Sequence, residues 1–163
     1  MISAIVAVDN DWGIGFNGEL LESIPNDLKR FKELTTGHAV VMGRKTWDSL
    51  PNRPLPNRNN FIISKEKPLI LECKAIRFEM EDAIKYIQST KEDVFIIGGG
   101  SVYEQLLFLC DRVYVTKIFK SHKNVDTYFP NLDKMNNWTP ACCSAVYDYN
   151  NLLYQFWEYD KIS

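Results

Sequence analysis

The sequence predicts a single α/β domain, residues 1–163, with a mostly parallel sheet, flanking helices and an antiparallel C-terminal edge. Three observations lead there. Short, near-continuous Val/Ile runs recur along the chain, as strands covered on both faces require. Helix-like segments fall between them. Two longer strand-like stretches close the chain around an Asn pair.

Taken in order, Ile2 to Val8 (ISAIVAV) reads as the first strand. A helix from Asn26 to Leu34 follows Pro25, which suits a first helical position, and stops near Gly37. Ala39 to Met42 and Asn60 to Ser64 read as strands, and the prolines of Pro51 to Pro56 make the connection between them irregular. Glu81 to Gln88 is an amphipathic helix. Val94 to Ile97 is a buried strand, and three glycines lead from it to a helix over Ser101 to Leu109. Arg112 to Ile118 is a mixed, longer strand. Trp138 to Asp148 and Asn151 to Asp160 pair as a hairpin, turning at Asn150 and Asn151.

Composition narrows the function classes. With 45% hydrophobic and 13% aromatic residues the chain is expected to fold around a real core. A net charge of -2 speaks against electrostatically driven nucleic-acid binding. Runs such as Ile2 to Val8 are too short to span a bilayer, so no membrane partner is expected. The start lacks a secretory pattern, and a cytoplasmic location is the expectation. Cys73, Cys110, Cys142 and Cys143 have no metal-ligand spacing, and only two histidines accompany them. They read as reduced cysteines, with no metal site.

Candidate chemistry gathers at three places. "VFIIGGGSVYEQL" sets Gly98, Gly99 and Gly100 between a strand and a helix. There the backbone can approach a ligand and the helix start suits an anion. A tight strand-to-helix turn would look the same. "VVMGRKTW" repeats the pattern, with Gly43 opening the turn before Arg44, Lys45 and Thr46. Two cations at a helix start oppose its dipole. A bound phosphate would explain them; a solvated basic turn is the alternative. Ser64 and Lys65 end the next strand and extend the same site, and Arg with Lys suits the extra phosphate of NADPH. Two anion sites after two strands of one parallel sheet fit a dinucleotide across the strand ends. The third place is "ELLESIPNDLKRF". Asp27, four residues before Phe31, borders an apolar helix face, although an early Asp also serves a helix as a dipole partner or cap.

Together, "ISAIVAVDNDWGIGFNGEL", "IPNDLKRFKELTTGHAVVMGRKTW", "RPLPNRNNFIIS", "VFIIGGGSVYEQ" and "VDTYFP" resemble, in order and spacing, a dihydrofolate reductase over nearly the whole chain. The resemblance implies an eight-stranded sheet and NADPH-dependent reduction of 7,8-dihydrofolate to tetrahydrofolate, supporting thymidylate, purine and one-carbon metabolism. Hydride would go to C6 and a proton to N5, without metal or covalent intermediate. Asp27 would be the catalytic carboxylate, binding the pterin at ring N3 and the 2-amino group. Ile5, Leu28, Phe31, Leu50 and Ile97 would line the folate pocket with Ala7, Tyr103 and Thr116, and Arg58 would grip the tail carboxylate. Ala7, Ile14 and Gly15 would meet the nicotinamide, with Tyr103 packing near it, and Ile97 and Thr127 would also approach the cofactor. Gly18, Gly43, Arg44, Lys45, Thr46, Ser64, Lys65, Gly98, Gly99, Gly100, Ser101, Val102 and Gln105 would complete the cofactor site. Gly98 and Gly99 would be joined by a cis peptide. The resemblance also implies antifolates as ligands and a monomer.

The chain departs from the pattern at informative points. Glu22 stands where the family usually has Trp, and Leu21 where it often has Pro. Burying an unpaired carboxylate is costly, so an outward or partly wet Glu22 is expected. Gly13 to Gly18 is expected to be a mobile loop, and Glu19 to be solvated. Ser101 replaces a frequent Arg. Two rivals remain: a fold-sharing reductase of a pyrimidine intermediate in riboflavin synthesis, disfavoured by Asp27 with Arg58, and a scaffold that binds nucleotide without efficient catalysis.

Overall fold

A computed structural model describes residues 1–65 and 75–163, so the expectation for Cys73 lies outside the described residues. Strand β1 (Ile2–Val8) is followed by the short strands β2 (Gly13–Phe16) and β3 (Glu19–Leu20) and by helix α1 (Pro25–Thr35). Strand β4 (Ala39–Gly43) runs into α2 (Arg44–Ser49), and β5 (Asn59–Ile63) and β6 (Ala75–Phe78) precede α3 (Met80–Ser89). Strand β7 (Val94–Gly98) runs into α4 (Gly100–Leu106), which tightens into a 3-10 turn over Leu107–Leu109. Strands β8 (Arg112–Ile118) and β9 (Thr127–Tyr128) and a second 3-10 turn (Leu132–Lys134) lead to the hairpin of β10 (Trp138–Tyr149) and β11 (Leu152–Lys161).

Eight strands form one sheet in the order β10-β11-β8-β1-β7-β4-β5-β6. From β8 to β6 every pairing is parallel, and β11 joins β8 antiparallel. The expected architecture is therefore present. Its interior strands are buried on both faces: Ala39, Val40, Val41 and Met42 are fully covered. The Asn150–Asn151 turn has positive φ at both residues (51° and 66°), the conformation a two-residue hairpin turn needs.

The segment expected to be a mobile loop is instead built into a second sheet. Strand β2 pairs with β3 on one side and β9 on the other, Gly15 lying opposite both Leu20 and Thr127. Asn17 and Gly18, with φ of 52° and 78°, make its turn. Strands this short, one rich in glycine, carry no apolar alternation for a sequence reading to find.

Candidate active site

Pro25 occupies the first turn of α1, no side chain caps the helix, and the cap residue is Ile24. Asp27 is thus free of capping duty. Its carboxylate reaches across to β8, where the Thr116 hydroxyl donates to Oδ1 at 2.5 Å. Thr116 lies in register with Ala7 of β1, so the carboxylate stands over the β1–β8 seam. Burial raises the pKa of Asp27, and the Thr116 hydrogen bond and the charge of Arg30 pull it only part of the way back. Arg30 is itself held over the Phe156 ring, 4.5 Å from its centre, and 4.0 Å from Glu158. No sequence signal marked Arg30 as a neighbour of the acid.

Ile5, Leu50 and Ile97 are partly buried and pack against a cluster of Val40, Met42, Trp47, Ile62 and Phe95. Together they make one apolar surface spanning β1, β7 and the end of α2. On α1, Phe31 is half-buried and Leu28 is 50% exposed. Arg58 stacks its guanidinium 5.9 Å from the centre of the Phe31 ring. Its Nε donates to the Pro56 carbonyl at 2.9 Å and Nη1 to Thr35 Oγ1 at 3.1 Å. These bonds fix the plane of the guanidinium, and burial lowers its pKa.

The two glycine turns abut. A Cβ added at Gly43 would come 3.0 Å from Val102, and one at Gly99 would come 3.6 Å from Thr46 Oγ1. At Gly100 it would clash with Thr127 at 2.5 Å. The starts of α2 and α4 therefore share one backbone-walled cradle. Gly98 and Gly99 are joined by a cis peptide, and Gly98 has φ of 122°. Beneath it Tyr103 is buried, stacks edge-on with Phe129 and donates to the Ile5 carbonyl at 2.5 Å. That hydrogen bond links the start of α4 to β1.

Gly43 pairs with Ile63, so Arg44, Lys45 and Ser64 follow neighbouring strand ends. Arg44 lies 3.6 Å from Asp48 one turn on, which relieves the mismatch of a cation at a helix start. Lys45 and Lys65 are exposed and Ser64 is buried. Gln105 donates to Ser101 Oγ at 2.9 Å along α4. This cradle of glycine backbone, hydroxyls and cations fits the phosphates of a dinucleotide. Ile14 is buried on β2 and Gly18 lies exposed at its turn. Among the described residues no group of three His, Cys, Asp or Glu side chains could hold a metal.

Glu22 is partly buried and firmly partnered. Its Oε1 lies 3.0 Å from His122 Nε2 and accepts from Lys120 Nζ at 3.2 Å. The His122 hydrogen bond, with help from Lys120, holds its pKa below the ordinary value despite some burial. The other ring nitrogen of His122 lies 3.0 Å from Asp9 Oδ2. Asp9 is buried, yet hydrogen bonds from Gly13, His122 and Asp11 outweigh burial and lower its pKa. Neither Asp9 nor His122 was singled out from the sequence, because their positions are more than a hundred residues apart. Glu19 is exposed, as expected.

A family model described as dihydrofolate reductase matches residues 1–161 of the chain. The chain belongs to the dihydrofolate reductase family. The dihydrofolate reductase of Bacillus subtilis (strain 168) is 36% identical over 162 residues, covering 95% of this chain and 94% of that protein. That of Mycobacterium leprae is 35% identical, covering 91% and 90%. The solved structure of Enterococcus faecalis dihydrofolate reductase complexed with NADP(H) and RAB-propyl superposes with a TM-score of 0.87 at 31% identity, over 100% of this chain and 97% of that one. The eight-stranded mixed sheet described above is thus the dihydrofolate reductase fold.

Proposed function

We propose that the chain reduces 7,8-dihydrofolate to 5,6,7,8-tetrahydrofolate with NADPH, and that Asp27 is its catalytic carboxylate. One observation carries the assignment of Asp27: a carboxylate whose pKa burial raises, gripped by Thr116, stands over the β1–β8 seam. When bound, NADPH supplies the hydride that reduces C6.

Asp27 accepts from the pterin's ring N3–H and 2-amino group, and its negative charge favours the N5-protonated ring. Ile5, Leu28, Phe31, Leu50 and Ile97 exclude water around that ring, so the charge acts through a weaker dielectric. Arg58, its plane already fixed, offers a fork to the tail carboxylate. Gly43, Arg44, Lys45, Thr46, Ser64 and Lys65 hold one end of the cofactor, and Gly98 to Val102, with Gln105 and Thr127, the middle. Ala7, Ile14, Gly15, Gly18, Ile97 and Tyr103 set the nicotinamide end.

The same reading takes the chain as a single-domain cytoplasmic monomer that binds antifolates in the pterin pocket. The test is the fall in NADPH absorbance when dihydrofolate is added to the purified protein. Oxidation is expected with dihydrofolate and not with a pyrimidine precursor of riboflavin. No oxidation with dihydrofolate at any pH would overturn the assignment.

A further inference from the structure

His122 stands between two carboxylates from different parts of the chain: Asp9, just beyond β1, and Glu22, between β3 and α1. Each ring nitrogen is 3.0 Å from a carboxylate oxygen. A carboxylate can only accept, and a neutral imidazole has one donor nitrogen and one acceptor. Both contacts are hydrogen bonds only when the ring carries a proton on each nitrogen. Among the described residues the other charged group hydrogen-bonded at the bridge is Lys120, whose ammonium shares Glu22 Oε1 with the ring. Asp9 is committed further, because its Oδ1 accepts from the backbone of Asp11 at 2.9 Å and Gly13 at 2.8 Å. The bridge thereby secures both ends of the segment carrying β2 and β3. Between those ends lies a small cleft of about 10 Å³, room for one water, lined by Ala7, Ile14, Glu22 and Ile118 among others.

We propose that His122 is a positioning residue for dihydrofolate reduction: doubly protonated, it ties Asp9 to Glu22 and holds the segment from Gly13 to Glu22 shut over the Ala7–Ile14 cleft. The tie weakens when the ring gives up its second proton. Glu22 thus supplies the anchor for a charged clasp on this side of the site. The inference rests on the proposed function, since Ala7 and Ile14 matter there as the nicotinamide end.

The discriminating variant is Glu22→Gln. A Gln amide can donate to Nε2 of a neutral ring while Nδ1–H still donates to Asp9, so the bridge survives without the second proton. The first measurement uses the ligand-free, nitrogen-15-labelled protein. The chain has two histidines, so His122→Gln identifies the ring signals. At one and the same pH both ring nitrogens should give the signals of protonated nitrogens in the unmodified protein and only one of them in the Glu22→Gln variant; identical spectra would overturn the bridge. The second measurement is kinetic. As the assay moves from mildly acid to alkaline buffer, KM for NADPH or dihydrofolate should climb at least about threefold with kcat less affected, the low end for one charge-assisted bond at a partly exposed site. Glu22→Gln should flatten that rise, and His122→Gln should raise KM at every pH. Coincident pH profiles for the unmodified protein and Glu22→Gln would overturn the positioning role. Should the unmodified protein fail to oxidise NADPH with dihydrofolate, the functional reading and the positioning role fall together, while the nitrogen-15 spectra still decide whether the bridge exists.

Discussion

Replacing Asp27 with Asn removes a charge and almost nothing else. The amide keeps the shape, and its oxygen can still accept the Thr116 bond that the carboxylate receives at 2.5 Å. Lost are an acceptor for one of the pterin's two N–H groups and the negative charge that favours protonated N5. A charge-assisted hydrogen bond is worth about 1.5–3 kcal/mol, and acid-base assistance about 10²–10⁴-fold. One carboxylate does both jobs, so the effects overlap rather than add. The expected loss in kcat/KM near neutral pH is about 10²–10⁴-fold, or about 2.7–5.5 kcal/mol of transition-state stabilisation. It should shrink in acid, where solvent protonates the substrate. Stability should move the other way. The folded pKa is raised above the ordinary 3.8, so between those two values the native state binds more protons and stability falls as pH rises. Ionised Asp27 therefore costs folding free energy at neutral pH. Asp27→Asn should raise Tm at neutral pH, and this gain should disappear below the ordinary carboxylate range. NADPH oxidation and thermal melts, both across pH, test the pair. An undiminished kcat/KM near neutrality, or a lower Tm there, would refute the reasoning.

Arg44→Ala with Lys45→Ala should shrink the preference for NADPH over NADH in kcat/KM while leaving NADH kinetics nearly unchanged; equal use of both cofactors by the unmodified protein would contradict the phosphate assignment. Arg58→Ala should raise KM for dihydrofolate by about 10- to 100-fold, the worth of a charge-assisted contact, and leave a pterin without the glutamate tail nearly unaffected. Gly100→Ala should destabilise by about 1–3 kcal/mol, because its Cβ would meet Thr127 at 2.5 Å; a denaturant midpoint equal to the parent's would show that the cradle yields.

Much of this molecule could be read from its residues because the informative signals are local. Ile2–Val8 and Arg112–Ile118 are strands at the boundaries their β-branched content suggests, and Pro25 sets the start of α1. Helix α4 ends earlier than the apolar run through Leu109 implied, because the chain tightens into a 3-10 turn at Leu107. The short strands β2, β3, β6 and β9 went unseen, since two to four residues carry too little periodicity. The environment of Glu22 was beyond reach for a different reason. Desolvation could be weighed in advance, but the Lys120 ammonium and the His122 ring that partner it come from around residue 120 and are brought there by the chain beyond β8.

The place of β1 in the sheet has a consequence for how the molecule is made. It is wedged between β7 and β8, pairing Ile2 with Val94 and Ser3 with Arg112. On a ribosome adding about 5–20 residues per second, β1 waits on the order of ten seconds before either partner is synthesised. Throughout that interval an apolar strand has both edges open, a form prone to pairing with other chains. Local helices such as α1 can form early, but β1 cannot have both its neighbours until the chain has passed Ile118, nor the sheet all its strands until it has passed Lys161. Folding is therefore late and governed by distant pairings, and a nascent chain halted before Val94 would carry β1 with neither neighbour.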